Sequence, residues 1–496
     1  MLRALSSAVA LLLCAALTAS STASSTASGS PPQRDEPRTG YSRLVPPKTT
    51  VAQDVPFDLS GHVSTKRVKR EVKLQQKVRR GTWRSFTTTT TDRRGRFTFE
   101  DVALSSTARL RGRLPAHATR VPREAGGPRT LRILPETTTK TLLIKVHPPQ
   151  GRLSAMPAVN QQGPAPEAPR NDSVVSAWFD PPAPGRRVLL ERLDEKGEWV
   201  PHATLLEDAA GFAVFNVPPA ATYRATAQPF HGLASVRTNR ASAVAKSLLF
   251  EDTFDAPTMD PRWRDFVLPR GYPGSQRTCA IAHPSQHSVG EGVLRMGIGY
   301  DPTLAGQECR YETEEGTKSG PYLYQSQLAT RETFRFTHGI AAARIKFARA
   351  SGRHSGFWIQ VGFKVPGDPA RGTEIDAVEF FGDNGGTKDR IGSFLHYYAA
   401  DNTGVTLGQF WQAMAAMKPP GDTWWDSFHV FSVAWTPTEY VFRVDGHEFY
   451  REDRAISTTP QWLVLSSNTS DYELKDVTPE NIDEETQVDW VRVWTL

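Results

Sequence analysis

Short runs in which apolar and polar residues alternate recur along most of the chain, broken by Gly, Pro, Asp and Asn. Alternation with a period of two puts successive side chains on opposite faces of a strand, so the pattern predicts an all-β protein. Strong helical periodicity is absent. In the C-terminal half the predicted strands include Gly339–Ile345, Phe428–Trp435, Tyr440–Val444, Trp462–Leu465 and Val488–Trp494. Regularly spaced strands over residues 248–496 suit one large two-sheet sandwich, a β-jelly roll.

Two upstream segments repeat one another. Leu74, Gly81, Trp83, Asp92, Gly95 and Phe99 match Leu190, Gly197, Trp199, Asp208, Gly211 and Phe215 at identical spacing. Both segments alternate and turn at Asp-x-x-Gly, which predicts antiparallel strands joined by tight turns. Each unit has the size of a small immunoglobulin-like β-sandwich. The expected organisation is a module over 43–147, a Pro-rich linker over 148–170 (Pro148, Pro149, Pro164, Pro166, Pro169), a second module over 171–246 and the jelly roll over 248–496. The repeats carry no paired carboxylates on one strand and no metal-ligand cluster. Their tryptophans read as core residues, with a carbohydrate platform as the alternative.

The N-terminus changes the picture of where the chain works. Arg3, the apolar run Ala8–Leu17 and the small residues after it read as a secretory signal over 1–27, followed by a flexible segment over 28–42. The run is too short to span a bilayer as a helix. The expectation is a secreted, extracellular protein with no membrane and no nucleic-acid partner. Beyond Cys14 only Cys279 and Cys309 remain, and an even count in an exported chain predicts a disulfide.

Charge is distributed unevenly. The chain carries 59 Lys+Arg against 53 Asp+Glu, yet residues 31–150 hold 25 basic and 10 acidic side chains, a surplus of 15. A basic first module on an acidic remainder suggests attraction to a polyanionic surface such as a cell wall; the alternative is a solvated face.

The stretch richest in chemistry is Gly372-Thr373-Glu374-Ile375-Asp376-Ala377-Val378-Glu379-Phe380-Phe381. On a regular strand Glu374 and Asp376 share a face and Glu379 points away. One extra residue in a β-bulge returns Glu379 to their side. The two glutamates then stand roughly 13 Å apart along the backbone at ~3.3 Å per step. Long side chains leaning together can approach the ~5–5.5 Å carboxyl separation that a retaining glycosidase uses. Three carboxylates so close cannot all ionise cheaply, which keeps one protonated. Such a cluster could instead hold calcium or magnesium, or be an acidic solvated strand; the flanking Ile375, Val378, Phe380 and Phe381 speak for a central strand.

Glu-Ile-Asp-x-x-Glu-Phe resembles the signature of glycoside hydrolase family 16 in its bulged, laminarinase-like form. Further likenesses follow in order: Asp252-Thr253-Phe254 with Trp263, Thr337-His338-Gly339 through Lys346, Gly356-Phe357-Trp358, Phe428 through Pro437 with Val444-Asp445-Gly446, and Val488 through Val493. The resemblance implies a jelly roll with an open cleft and double-displacement hydrolysis of polysaccharide. Glu374 would be the nucleophile, Asp376 its assisting carboxylate and Glu379 the general acid, later base. Trp358, His396, His354 (where the family often has Trp) and Trp425 are the expected substrate-binding residues, with Trp411 and Trp424 as further candidate cleft aromatics. No cofactor is required for such catalysis. A structural calcium on Asp252 and Asp489 is the implied metal site, with Thr253 in place of the usual Glu. The expected substrate is a β-1,3-glucan or mixed-linkage β-glucan, cut internally. The alternatives are an agarase, carrageenase or transglycosylase of similar mechanism, or a non-catalytic glycan-binding lectin.

Overall fold

A computed structural model describes residues 42–496 apart from 64–68, 121–130, 161–171, 273–275, 314 and 384–390. The expected signal segment therefore lies outside the described residues. Among those described, no helix is long and apolar enough to cross a membrane.

The described residues form three successive pairs of sheets and two further two-stranded sheets. The first pair joins Arg43–Val45, Phe57–His62 and Arg96–Val102 in one sheet. Facing it are Thr50–Ala52, Leu142–His147, Ala108–Leu114, Glu71–Val78 and Arg84–Thr90. Alternate positions meet between the sheets, where Leu59, Leu74, Phe99, Leu110 and Ile144 form a closed core. The second pair encloses Leu153, Val175, Phe179, Leu190, Phe215 and Tyr223 in the same way. The repeated leucine and phenylalanine of each unit are thus core residues.

The Asp-x-x-Gly turns follow from side-chain chemistry. Asp92 Oδ1 accepts from the Arg94 and Arg96 amides, and Asp208 Oδ1 accepts from those of Ala210 and Phe212. A carboxylate that caps its own turn in this way stabilises the reversal. Gly211 closes the second turn at φ +89°, where a Cβ would meet the Phe179 carbonyl oxygen at 2.6 Å. The repeated tryptophans depart from expectation. Trp83 and Trp199 are half-buried at the surface, beneath the guanidinium groups of Arg111 and Arg224, each 4.2 Å from the ring centroid.

The linker expected over 148–170 is partly strand. Gln150–Pro157 pairs along its whole length with Ser173–Asp180 and opens the second sandwich. Prolines punctuate its two ends, and Leu153 between them is buried in the core. Pro164, Pro166 and Pro169 lie outside the described residues.

This second sandwich is seated on the C-terminal domain. Met156, Val159, Val174, Phe212 and Val214 belong to that domain's apolar core cluster. Asp208, whose Oδ1 holds its turn, uses Oδ2 to meet His447 Nε2 at 2.7 Å, and Arg152 pairs with Glu448 at 2.6 Å. Cutting the chain before Gln150 leaves this interface intact, whereas cutting before Leu248 uncovers it. Losing about 2–3 kcal/mol of apolar and ionic contact lowers the melting temperature of a domain this size by roughly 5–10 °C. Thermal unfolding of fragments 150–496 and 248–496 checks this; equal melting temperatures would show the sandwich to be merely tethered.

The C-terminal domain stacks an eight-stranded sheet on a nine-stranded one, the expected jelly roll. Between them lies a core that includes Phe357, Ile375, Val378, Phe431, Trp435, Phe442 and Trp490. Cys279 and Cys309 form the expected disulfide.

Candidate active site

The strand Glu374–Phe380 sits inside the nine-stranded sheet, between His354–Gln360 and Ile391–Tyr398. Its pairing slips as anticipated. Phe357 faces Val378 while its neighbour Trp358 faces Asp376, so Ala377 is the extra residue. On the other side three steps from Asp376 to Glu379 match two on the partner strand, Phe394 to Gly392. The bulge gives the motif two faces. Ile375, Ala377, Val378 and Phe380 point into the core, and Glu374, Asp376 and Glu379 all line one groove of about 690 Å³.

That groove runs across the strands. Gln327, Ser466, Trp358, Asp376, His396 and Thr406 line it from six successive strands of the sheet. Five strand spacings of ~4.8 Å make a path of roughly 24 Å, long enough for several sugar rings. The carboxylates stand in mid-path.

Entry to the strand that carries the three acids depends on Gly372. Its φ is +137°, and a Cβ there would lie 2.6 Å from the Phe363 carbonyl oxygen and 3.0 Å from Lys364 Cα. Gly372→Ala is therefore expected to destabilise the fold by about 1–3 kcal/mol and to displace Lys364, lowering activity as well. Denaturant unfolding together with a turnover assay checks both effects.

Each carboxylate has a cationic or amide neighbour. Glu374 Oε2 accepts from Gln360 Nε2 at 2.6 Å and is 2.9 Å from Lys364 Nζ. Asp376 Oδ2 is 3.1 Å from His396 Nε2, whose other nitrogen meets Thr406 Oγ1 at 2.9 Å. Glu379 Oε1 is 2.5 Å from His354 Nε2, and the His354 ring stacks on Phe381.

These neighbours sort the protons. Burial, helped by the Glu379 charge, pushes Asp376 up to about 7, so near neutrality it carries a proton part of the time. Burial alone would depress His396, yet the Asp376 carboxylate outweighs it and raises the ring to about 9. Burial likewise pushes Glu379 up, but the His354 cation prevails and holds the carboxyl below its ordinary value. His354 is raised in turn, the Glu379 carboxylate overcoming the effect of burial.

The site brings together five of the expected residues with the nucleophile candidate: Trp358, His354, His396, Asp376 and Glu379 beside Glu374. Trp425 is not among them. It packs on Phe380, on the core side of the strand that carries the acids, with Arg349 over its ring. Trp424 is fully buried, and Trp411 packs against Tyr450. Two contributors escaped the motif. Gln360 lies two residues beyond Trp358 on the same strand face, a spacing that could have exposed it. Lys364 lies in a loop, where no periodicity marks it.

Neither metal reading fits the donors present. Asp252 already accepts from the Phe254 amide and from Trp263 Nε1, one on each oxygen, and Asp489 is paired with Arg344. A guanidinium in contact with one of the two proposed ligands leaves no anionic pocket for calcium. In the groove, Glu374, Asp376 and His396 stand close enough to share an ion. The Lys364 ammonium, however, already occupies the Glu374 side, and His396 is raised into its cationic form. Glycosidic hydrolysis by two carboxylates needs only water as co-reactant.

No curated protein sequence matches the chain. Similar solved structures include the laminarinase catalytic domain from Thermotoga maritima MSB8, at 17% identity over 51% of this chain and 98% of that one, with a TM-score of 0.38. The endo-β-1,3-glucanase from Pyrococcus furiosus gives 19%, 50%, 94% and 0.39 for the same quantities, and the laminarinase from Rhodothermus marinus 20%, 50%, 97% and 0.36. Residues 299–492, the stretch that carries all three acids of the groove, match the sequence model of the glycosyl hydrolases family 16, so it is as a domain similar to that family that this part of the chain is read.

Proposed function

We propose that the protein is a secreted, endo-acting, retaining hydrolase of β-1,3-linked or mixed-linkage β-glucan. One observation carries the reading: a bulge sets three acids in the middle of a groove that crosses six strands, so a polymer can lie through it with sugars on both sides of the cut. The bulged spacing of the motif is the feature that favours β-1,3-linked glucan. The apolar run Ala8–Leu17 and the Cys279–Cys309 disulfide support export to an oxidising compartment.

Glu374 attacks the anomeric carbon, held in place by Gln360 and Lys364. Glu379 protonates the departing glycosidic oxygen. The 2.5 Å contact with His354 makes the two groups a single proton carrier, in which imidazolium with carboxylate is the tautomer of imidazole with carboxylic acid. Once the leaving sugar is gone, Glu379 takes a proton from water, which opens the glycosyl ester on Glu374. Asp376 lies between them and, with a proton on it near neutrality, spares Glu374 a second full negative charge. Trp358, fixed by its Nε1–H donating to Ser466 Oγ at 3.1 Å, offers a ring face to the sugar.

The test is a screen of purified protein on laminarin, lichenan, agarose and carrageenan, with product sizing. A ladder of intermediate oligosaccharides from laminarin or lichenan is expected. Cleavage of agarose or carrageenan alone would discard the glucan, and monosaccharide as first product would discard internal attack.

A further inference from the structure

Strand register in the first sandwich sets basic side chains opposite one another, and one such pair opens onto a pocket. On the outer face of its larger sheet, Glu71–Val78 and Ala108–Leu114 set three pairs directly opposite one another: Lys73 with Arg113, Gln75 with Arg111, and Lys77 with Arg109. Like charges placed so are unfavourable unless something neutralises them. For the first pair that is done within the protein, since Lys73 meets Glu71 at 3.2 Å and Arg113 meets Glu136 at 2.7 Å. In the second, Arg111 donates to Gln75 Oε1 at 3.0 Å and stacks on Trp83.

The third pair has no such relief. Among the described residues neither Lys77 nor Arg109 has an acidic partner. Both instead line a cavity of about 450 Å³ with Arg79, Ser105, Ser106 and Thr107, and no carboxylate lines it. Arg79 adds to the case. It sits at φ +47°, a conformation that costs energy for a residue with a Cβ and that Gly or Asn would adopt more easily. Three cations with the hydroxyls of Ser105 and Ser106 around one hollow, the Thr107 hydroxyl being held by the Val146 backbone, are the complement of a sulfate, phosphate or carboxylate group.

We infer that this pocket is an anion-binding site through which the first sandwich holds an acidic polysaccharide, keeping the hydrolase on its target surface. That the anion is carried on a glycan rests on the hydrolase reading of the same chain. Arg111, two residues along the strand from Arg109, covers the ring of Trp83, a half-buried aromatic at the surface that could meet a neighbouring sugar.

The test is affinity electrophoresis of the full chain in gels containing dextran sulfate, polygalacturonate or neutral dextran, beside a duplex oligonucleotide shift assay. Three proteins are compared with the parent. They are the triple variant Lys77→Ser, Arg79→Ser, Arg109→Ser; the single variant Arg79→Asn, which suits the backbone; and a charge-matched control, Arg187→Ser, Arg192→Ser, Lys196→Ser, on the second sandwich. The parent is expected to be retarded by one or both acidic glycans and not by dextran. The triple variant should lose tenfold or more in affinity and Arg79→Asn about threefold, while the control binds as the parent does. Melting temperatures at or above the parent's confirm folding, because the substitutions remove a repulsion. Laminarin hydrolysis, assayed in the same preparations, reports separately on the cleft. Equal losses in the control, unchanged binding in Arg79→Asn and the triple variant, or an oligonucleotide shift as strong as the glycan's and lost with it, would each overturn the site.

Discussion

Glu374→Gln lowers kcat by roughly 10⁴- to 10⁶-fold, the range met when one member of a catalytic set acting as a unit is removed. The amide keeps the shape of the side chain and can still meet Gln360, but it has no charge to form the glycosyl ester. Lys364, 2.9 Å from the parent carboxylate, loses its counter-ion as well. Binding of the polymer should change little, because Trp358 and the strands on either side of the cut are untouched. In Glu374→Ala the vacated space admits azide, which attacks the anomeric carbon from the same side and leaves the sugar as an azide of inverted configuration. Rate measurements on the glutamine variant and product analysis of the alanine variant with azide check the assignment. Parent-like turnover in Glu374→Gln would show that another group makes the bond.

The second large effect concerns pH. His354 is raised above the ordinary histidine value of ~6.5, and Glu379 is held below its own of ~4.3. The pair therefore keeps one proton available as pH rises, until it passes the raised value of His354. Above that point Glu379 has nothing to deliver to the leaving group, so His354 sets the basic limb of kcat/KM. His354→Gln removes the cation. Burial, then opposed only by the more distant His396 and Arg277 cations, moves Glu379 upward, yet the carboxyl starts about two units below histidine. The basic limb should fall by about one pH unit or more, with a loss of roughly 10- to 100-fold at pH 8 and a much smaller one near pH 5. A uniform loss at all pH values would mean that His354 only fills space beside Phe381.

Much of this site was legible because a strand has a period of two. Glu374, Asp376 and Glu379 break that period unless one residue bulges, and the apolar Ile375, Val378 and Phe380 around them force a buried strand. Together these require the bulge. What could not be read was set by contacts distant in sequence. Trp425 looks like a sugar platform by residue type, but its partner Phe380 is 45 positions away and on the core face. Gln150–Pro157 looked like linker because prolines flank it, and only pairing with Ser173–Asp180 makes it a strand. Trp83 and Trp199 looked like core until arginines from neighbouring strands proved to cover them. The calcium expected at Asp252 and Asp489 fails on an arginine 145 residues from one of them.

The claim on which all this turns is that acids on one bulged strand open a glycosidic bond by two successive displacements. Proton NMR of the reaction on the polymer cleaved fastest, begun within the first minutes, reads the configuration of the new reducing end directly. The β-anomer appearing first, with the α-form growing only by mutarotation, is the predicted result. Release of the α-anomer first would mean a single displacement by water, and Glu374 could not be the nucleophile.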